Sequence, residues 1–174
     1  MTNLGTLALL AAITAGQADT PSEHLKILQP LIGQWVHVGS TQSDSPSLGP
    51  KGTEIAIVVT YTWAINKNAL QIQLVAKATH KESVQFVELV GWDRKQKKLV
   101  SQCFGSEGTV EHSVWSVDGE TIIGDARSVT DDGKEVTMKY LHTFDGDTMT
   151  LRYADMIVDG VKQPDEEYKY RRVR

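Results

Sequence analysis

From Gln34 onward the chain alternates apolar and polar positions with a period of two. In "TEIAIVVTYTWAI" the odd positions Ile55, Ile57, Val59, Tyr61, Trp63 and Ile65 are apolar, while Glu54, Thr60 and Thr62 occupy even ones. This predicts a strand with one buried face. After a tight "NKN" turn, "ALQIQLVAKAT" sets Leu70, Ile72, Leu74, Ala76 and Ala78 on one face and Gln71, Gln73 and Lys77 on the other. A slip by one residue would turn the apolar set outward, so this hairpin has a defined register.

Similar segments follow to the C-terminus: "VQFVELVGWD", "LVSQCFGSEG", "TVEHSVWSV", "ETIIGDARSV", "EVTMKYLHTF", "TMTLRYADMIV" and "EEYKYRRV". The links between them are polar, and the pairs Asp118-Gly119 and Asp159-Gly160 are hairpin signals. The pattern predicts about ten strands. A meander of that length without a second helical layer must bury one face and dispose of two edges, and closing the sheet on itself does both. The expectation is an all-β fold, a single antiparallel up-and-down barrel, with a two-sheet sandwich as the competing architecture. The one long irregular link is "STQSDSPSLGPKG".

A short helix is predicted ahead of the first strand, in "DTPSEHLKILQPLIG". Thr20 can cap it, Pro21 suits the first helical position, and Glu23 completes a capping box. Leu25, Leu28 and Ile32 then share a face, and Pro30 and Gly33 stop the element.

The first 18 residues differ from the rest. They carry no charge, hold an apolar run from Leu7 to Ile13, and end with Gly16 and Ala18 at signal-peptidase spacing. They predict a cleaved signal peptide, 1–18, ahead of a domain over 19–174, and hence a secreted or periplasmic protein with no stable membrane span after cleavage. An N-terminal helix packed on the domain is the alternative, because no Lys or Arg stands near Met1. The 174 residues suffice for one domain, and 18 basic against 22 acidic residues give a formal charge of −4. No basic run interleaved with aromatics suggests nucleic acid. Cys103 is the lone cysteine, so no internal disulfide forms, no zinc spacing exists, and the thiol reads as a small buried hydrophobe.

A short helix leading into Gly33-x-Trp35, followed by a meander that ends in "YKYRRV", resembles the lipocalin-like (calycin) superfamily. The phrases "HLKILQPLIGQW", "TYTWAINKNAL", "LVGWDRKQKKLVSQCFGSEG", "HSVWSVDGETI" and "DGKEVTMKYLHTFDGDTMTLRYADMIVDG" are similar to a group of uncharacterised, often exported bacterial lipocalin-like domains. The resemblance implies a barrel whose strand-one Trp closes the narrow end beneath an Arg from the last strand. Those roles fall to Trp35 and Arg172, with Arg171 in reserve, and His37 shares the parity of Trp35 near that closed end. The group brings no established activity.

Within such a barrel, the apolar faces carrying Tyr61, Trp63, Ile72, Leu74, Met138 and Tyr140 would line a cavity, with His142 as its polar orienter. If Trp115 faces inward, Glu111 and Ser113 do too. Glu88 shares parity with Phe86, Val90 and Trp92, and a buried Glu88 would need a partner, for which Arg152 is available; the alternative is an exposed Glu88 with Trp92 at the rim. No Ser/His/Asp context, GxSxG elbow or phosphate loop is present, so no catalytic set is assigned, and Glu88, Glu111, His112 and His142 are the residues an enzyme would have to use. Nitrobindin-type barrels, similar in architecture, also carry Gly-x-Trp and bind haem through a His near the C-terminus, but no His follows His142 here. The function expected is a monomeric or weakly associated barrel that binds a small, mostly apolar molecule and takes no cofactor. A filled barrel acting through its rim loop, residues 41 to 52, stands as the alternative from another class.

Overall fold

The computed structural model describes residues 20–45, 48–78, 81–106, 108–130 and 132–173, of which 81–83 by backbone alone. The expected signal peptide lies outside them. Alternation of side chains along the chain yields β1 (Gly33–Ser40), β2 (Glu54–Ala64), β3 (Ala69–Ala78), β4 (Lys81–Asp93), β5 (Lys98–Gly105) and β6 (Val110–Asp118). There follow β7 (Thr121–Val129), β8 (Glu135–Asp145), β9 (Thr148–Val158), the two-residue β10 (Val161–Lys162) and β11 (Glu166–Arg172). Each strand from β1 to β9 pairs antiparallel with the next, β9 pairs with β11, and β11 returns to β1. The sheet is therefore the closed up-and-down barrel that the hairpin series predicts. β10 only extends the end of β9.

Two bulges alter the side-chain parity that simple alternation gives. Between β3 and β4 the register shifts after Leu74, leaving Gln85 unpaired between Val84 and Phe86. Between β8 and β9 it shifts at Met138, opposite Asp155 and Met156, and Asp155 takes a φ of 53°. A bulge of this kind adds a residue on one strand and turns the residues beyond it over. Tyr153 and Met156 thus both line the interior although they are three positions apart.

The N-terminal element departs from the predicted helix. Only Pro21–Leu25 is α-helical, and Lys26–Leu31 continues as a 3₁₀-helix with Pro30 inside it. Three residues per turn aligns Leu25, Leu28 and Leu31 on one face, all fully buried, whereas Ile32 is only half-buried. The capping box does not form: Thr20 makes no side-chain cap bond, and the Glu23 carboxylate takes Lys26 Nζ at 2.6 Å. The element lies across the β3/β4 end of the barrel, where His24 stacks on Trp92 with ring centroids 3.5 Å apart.

At that narrow end Trp35 is fully buried, and its indole N–H donates to the Leu31 carbonyl at 2.8 Å. The Arg172 guanidinium sits 4.0 Å over the indole and donates to the carbonyls of Ile32 (2.6 Å) and Pro30 (3.0 Å). Arg171 lies on the outer face, exposed. Gly33, at φ 126°, makes this stack possible, since a Cβ there would meet Arg172 Nη1 at 2.9 Å.

The β1–β11 closure is short. Trp35 pairs with Arg172 and Val36 with Arg171, after which side chains take over from the ladder. His37 Nδ1 donates to the Lys169 carbonyl at 2.9 Å, and the Gln42 carboxamide bonds both the Glu167 N–H and its carbonyl. His37, expected at the closed end, stands instead in this seam, edge-on to Tyr168.

Candidate functional site

Away from the plug, the barrel holds a cavity of about 1010 Å³ that opens between residues 40–45 and 51–52, Gly105, Ser106 and Thr109, and residues 163–166. Its wall is supplied by strand positions of one parity: Val59 and Tyr61 from β2, Ile72 and Leu74 from β3, Phe86 from β4, Leu151 and Tyr153 from β9, and Tyr170 from β11. Of the predicted lining residues, Tyr61, Ile72, Leu74, Met138, Tyr140 and His142 are on this surface. Trp63 is not. It has the right parity, but it pairs with Leu70 beyond the start of β1 and packs half-buried at the plug end.

The polar side chains inside form a row across three strands. Glu88 is paired with Cys103, and Cys103 with Glu111. Strands spaced about 4.8 Å apart therefore put the two glutamates about 10 Å apart at the backbone, with side chains converging on the concave face. Glu88 is 4% exposed and Glu111 8%. Burial pushes the Glu88 carboxyl up to about 7, against hydrogen bonds from Ser101 and Trp115, while Glu111 adds to the rise. Burial likewise raises Glu111, opposed by hydrogen bonds from Tyr140 and Ser113. The Tyr140 hydroxyl donates to Glu111 Oε2 at 2.6 Å and Ser113 Oγ to Oε1 at 3.3 Å. Glu88 Oε1 is buried with no hydrogen-bond partner. Arg152 does not supply one: it lies outside, exposed, and pairs with Asp165. Desolvation first, and then the neighbouring Glu88 and Glu111, push the thiol of buried Cys103 up to about 12, so it is held as the protonated thiol.

Trp115 faces inward, donating from Nε1 to Ser101 Oγ at 2.9 Å. Its neighbour across the sheet is Gly124, which in turn pairs with Tyr140. A Cβ at Gly124 would meet Tyr140 Cδ2 at 3.2 Å and the Trp115 ring at 3.5 Å, so a glycine there is what lets two aromatic rings share one stretch of wall. Nothing in the alternation signals this; a small residue in an interior row is its only trace in the sequence. His142 is 2% exposed, stacks on Trp115 and has Nε2 3.4 Å from the Tyr61 hydroxyl. Burial lowers its pKa to about 4, against a rise from the Ile122 backbone. It is a neutral imidazole.

An axial haem ligand needs a nitrogen that faces the cavity freely. The His142 Nε2 meets Tyr61 and its Nδ1 is buried against the β7 backbone; His37 Nε2 lies over Gly39, where a Cβ would come within 2.6 Å of it. Among the described residues, neither His142 nor His37 offers such a nitrogen. His112, named for a general acid–base pair, is exposed on the outer face, away from Glu88 and Glu111. Among the described residues no group of three or more His, Cys, Asp or Glu side chains could hold a metal ion.

No family model and no curated protein sequence matches the chain. Solved structures similar to it include two barrel-sized chains. Rv2717c from M. tuberculosis aligns with a TM-score of 0.57 at 20% identity, over 86% of this chain and 97% of that one. Secretory abundant heat soluble protein 4 from Ramazzottius varieornatus aligns with a TM-score of 0.49 at 14% identity, over 83% and 96%. The likeness to Rv2717c is one of fold, and it carries no residue role and no ligand.

Proposed function

We propose that this chain is a lipocalin-like binding protein that takes one small, mostly apolar molecule into its barrel through the open mouth. The observation that carries the reading is the hollow interior. A volume of about 1010 Å³ lies at the upper end of the range, about 300–1,000 Å³, that holds drug-sized ligands. Its wall is apolar and aromatic, with a few convergent polar groups, as such sites require. A barrel acting only through rim loops has no need of that space. Rigid placement helps as well: the plug of Trp35, Arg172 and Gly33 fixes one end, so a ligand enters and leaves by the other.

The reading extends to a secreted or periplasmic location, for which the uncharged apolar leader is the support, and to a monomer or weak oligomer. The test is thermal unfolding against fatty acids, isoprenoids and tetrapyrroles. At least one class should raise the midpoint in proportion to the logarithm of its concentration, as binding to the folded state alone requires. A midpoint that no apolar ligand moves would remove the reading.

A further inference from the structure

The cavity's polar end is acidic and lacks a counterion. Every charged side chain deep in it is a carboxyl: Glu88 and Glu111 flank Cys103 on adjacent strands, and among the described lining residues the one Lys or Arg is Lys51, exposed at the mouth. The groups facing Glu88 are Tyr61 from β2, Ser101 and Cys103 from β5, Glu111 and Trp115 from β6 and Tyr140 from β8, none of them a cation. His142 beyond them is held neutral.

The hydrogen bonds fix which way this end is polarised. Both oxygens of Glu111 accept, one from Tyr140 and one from Ser113, which holds that carboxyl in its acceptor form. The Glu88 Oε1 is buried and unpartnered in a cavity wall, an arrangement that costs free energy until a donor arrives. A carbonyl or carboxylate entering here would set acceptor against acceptor. An ammonium supplies up to three N–H donors and a positive charge on a compact head, which suits two converging carboxylates.

We propose that the occupant of the cavity is an apolar primary amine, its ammonium held between Glu88 and Glu111 and its hydrocarbon along Ile72, Leu74 and Leu151. This rests on the ligand-binding reading of the barrel and names the ligand's chemical class. Burial of an uncompensated carboxylate is unfavourable, so the amine brings the charge that lets Glu88 stay ionised, and part of its affinity comes from that pairing.

The experiment is calorimetric titration with decylamine, decanol and decanoate, below their micellar concentrations and at about pH 8, where Glu88 is mostly ionised and the amine still protonated. Decylamine is expected to bind at least about tenfold more tightly than decanol, and decanoate more weakly than either. In Glu88→Gln the amine's advantage should collapse while decanol affinity holds, and the retained decanol binding shows that the variant is folded. Glu111→Gln should act in the same direction. Equal affinity for amine and alcohol in the parent protein overturns the amine proposal and leaves the cavity reading standing. An amine preference that survives both substitutions is adsorption to the acidic surface and also overturns it. Failure of all three probes to bind removes the cavity reading and the proposal with it.

Discussion

Burial holds the His142 imidazole neutral, its pKa lowered to about 4, and pushes the Glu88 carboxyl up to about 7. The two shifts act on stability with opposite signs. Between about pH 4 and 6.5 the unfolded chain binds the His142 proton more readily, so that contribution is present above this window and lost as pH falls through it. Between about pH 4.5 and 7 the folded state holds the Glu88 proton, so its contribution is present at acid pH and lost as pH rises. Each is worth on the order of 3 kcal/mol at most. Chemical unfolding across this range should show His142→Gln losing stability as pH rises from about 4.5 to 7, and Glu88→Gln gaining it from about 4 to 6.5. Glu111, which burial also raises, and exposed aspartates such as Asp93 and Asp165, whose pKa values hydrogen bonds lower, are present in both variants, so the difference between the two profiles is the readout. Identical profiles would contradict the buried placement of both groups. At the plug, Arg172→Lys keeps the charge but loses the flat stack on Trp35 and the fork to two carbonyls, with an expected cost of about 1–2 kcal/mol in urea unfolding.

At the scale of elements, much was legible where one strand face is buried and the other wet. The alternation in Ile55–Tyr61 and Leu70–Ala78 gave both hairpin and inward face, because a single-residue slip would expose the whole set. Three features were not legible. The bulges at Gln85 and Asp155 depend on how neighbouring strands curve, and they invert parity for reasons outside the strand that carries them. Parity placed Trp63 inside without giving its height along the barrel, which is set by where β1 begins. The helix signals at Thr20, Pro21 and Glu23 located a start, yet packing chose a 3₁₀ continuation that buries Leu25, Leu28 and Leu31. Leu28→Ala should cost about 2–4 kcal/mol through the cavity it leaves over the plug, measured by urea unfolding. In the β1–β11 seam, Gln42 stands in for a missing ladder, accepting from the Glu167 amide at 3.2 Å. Gln42→Ala should speed hydrogen exchange at that amide while leaving the Trp35–Arg172 pairing protected, and unchanged exchange would show that the seam does not depend on this side chain.

As a whole molecule, the protein is a ring of ten strands plugged at one end and open at the other. Its closure followed from a long meander with no second layer to cover a sheet. The open interior did not follow from the sequence, since free volume depends on which side chains from different strands meet at one height. Gly124 leaves room for the Trp115 and Tyr140 rings of that wall, while Trp35 and Phe144 pack together at the other end. The outer face also carries exposed apolar side chains, among them Leu89 and Phe104, so a binding signal alone does not locate a ligand. The most direct measurement is fluorescence titration with the neutral apolar dye N-phenylnaphthylamine against the parent protein and the double variant Leu74→Trp/Leu151→Trp, which sets two bulky rings into the cavity from β3 and β9 and obstructs it, with circular dichroism to show that both are folded. The parent should bind saturably, and the variant at least about tenfold more weakly. Undiminished binding to the obstructed barrel would place the dye outside and contradict a ligand-binding interior.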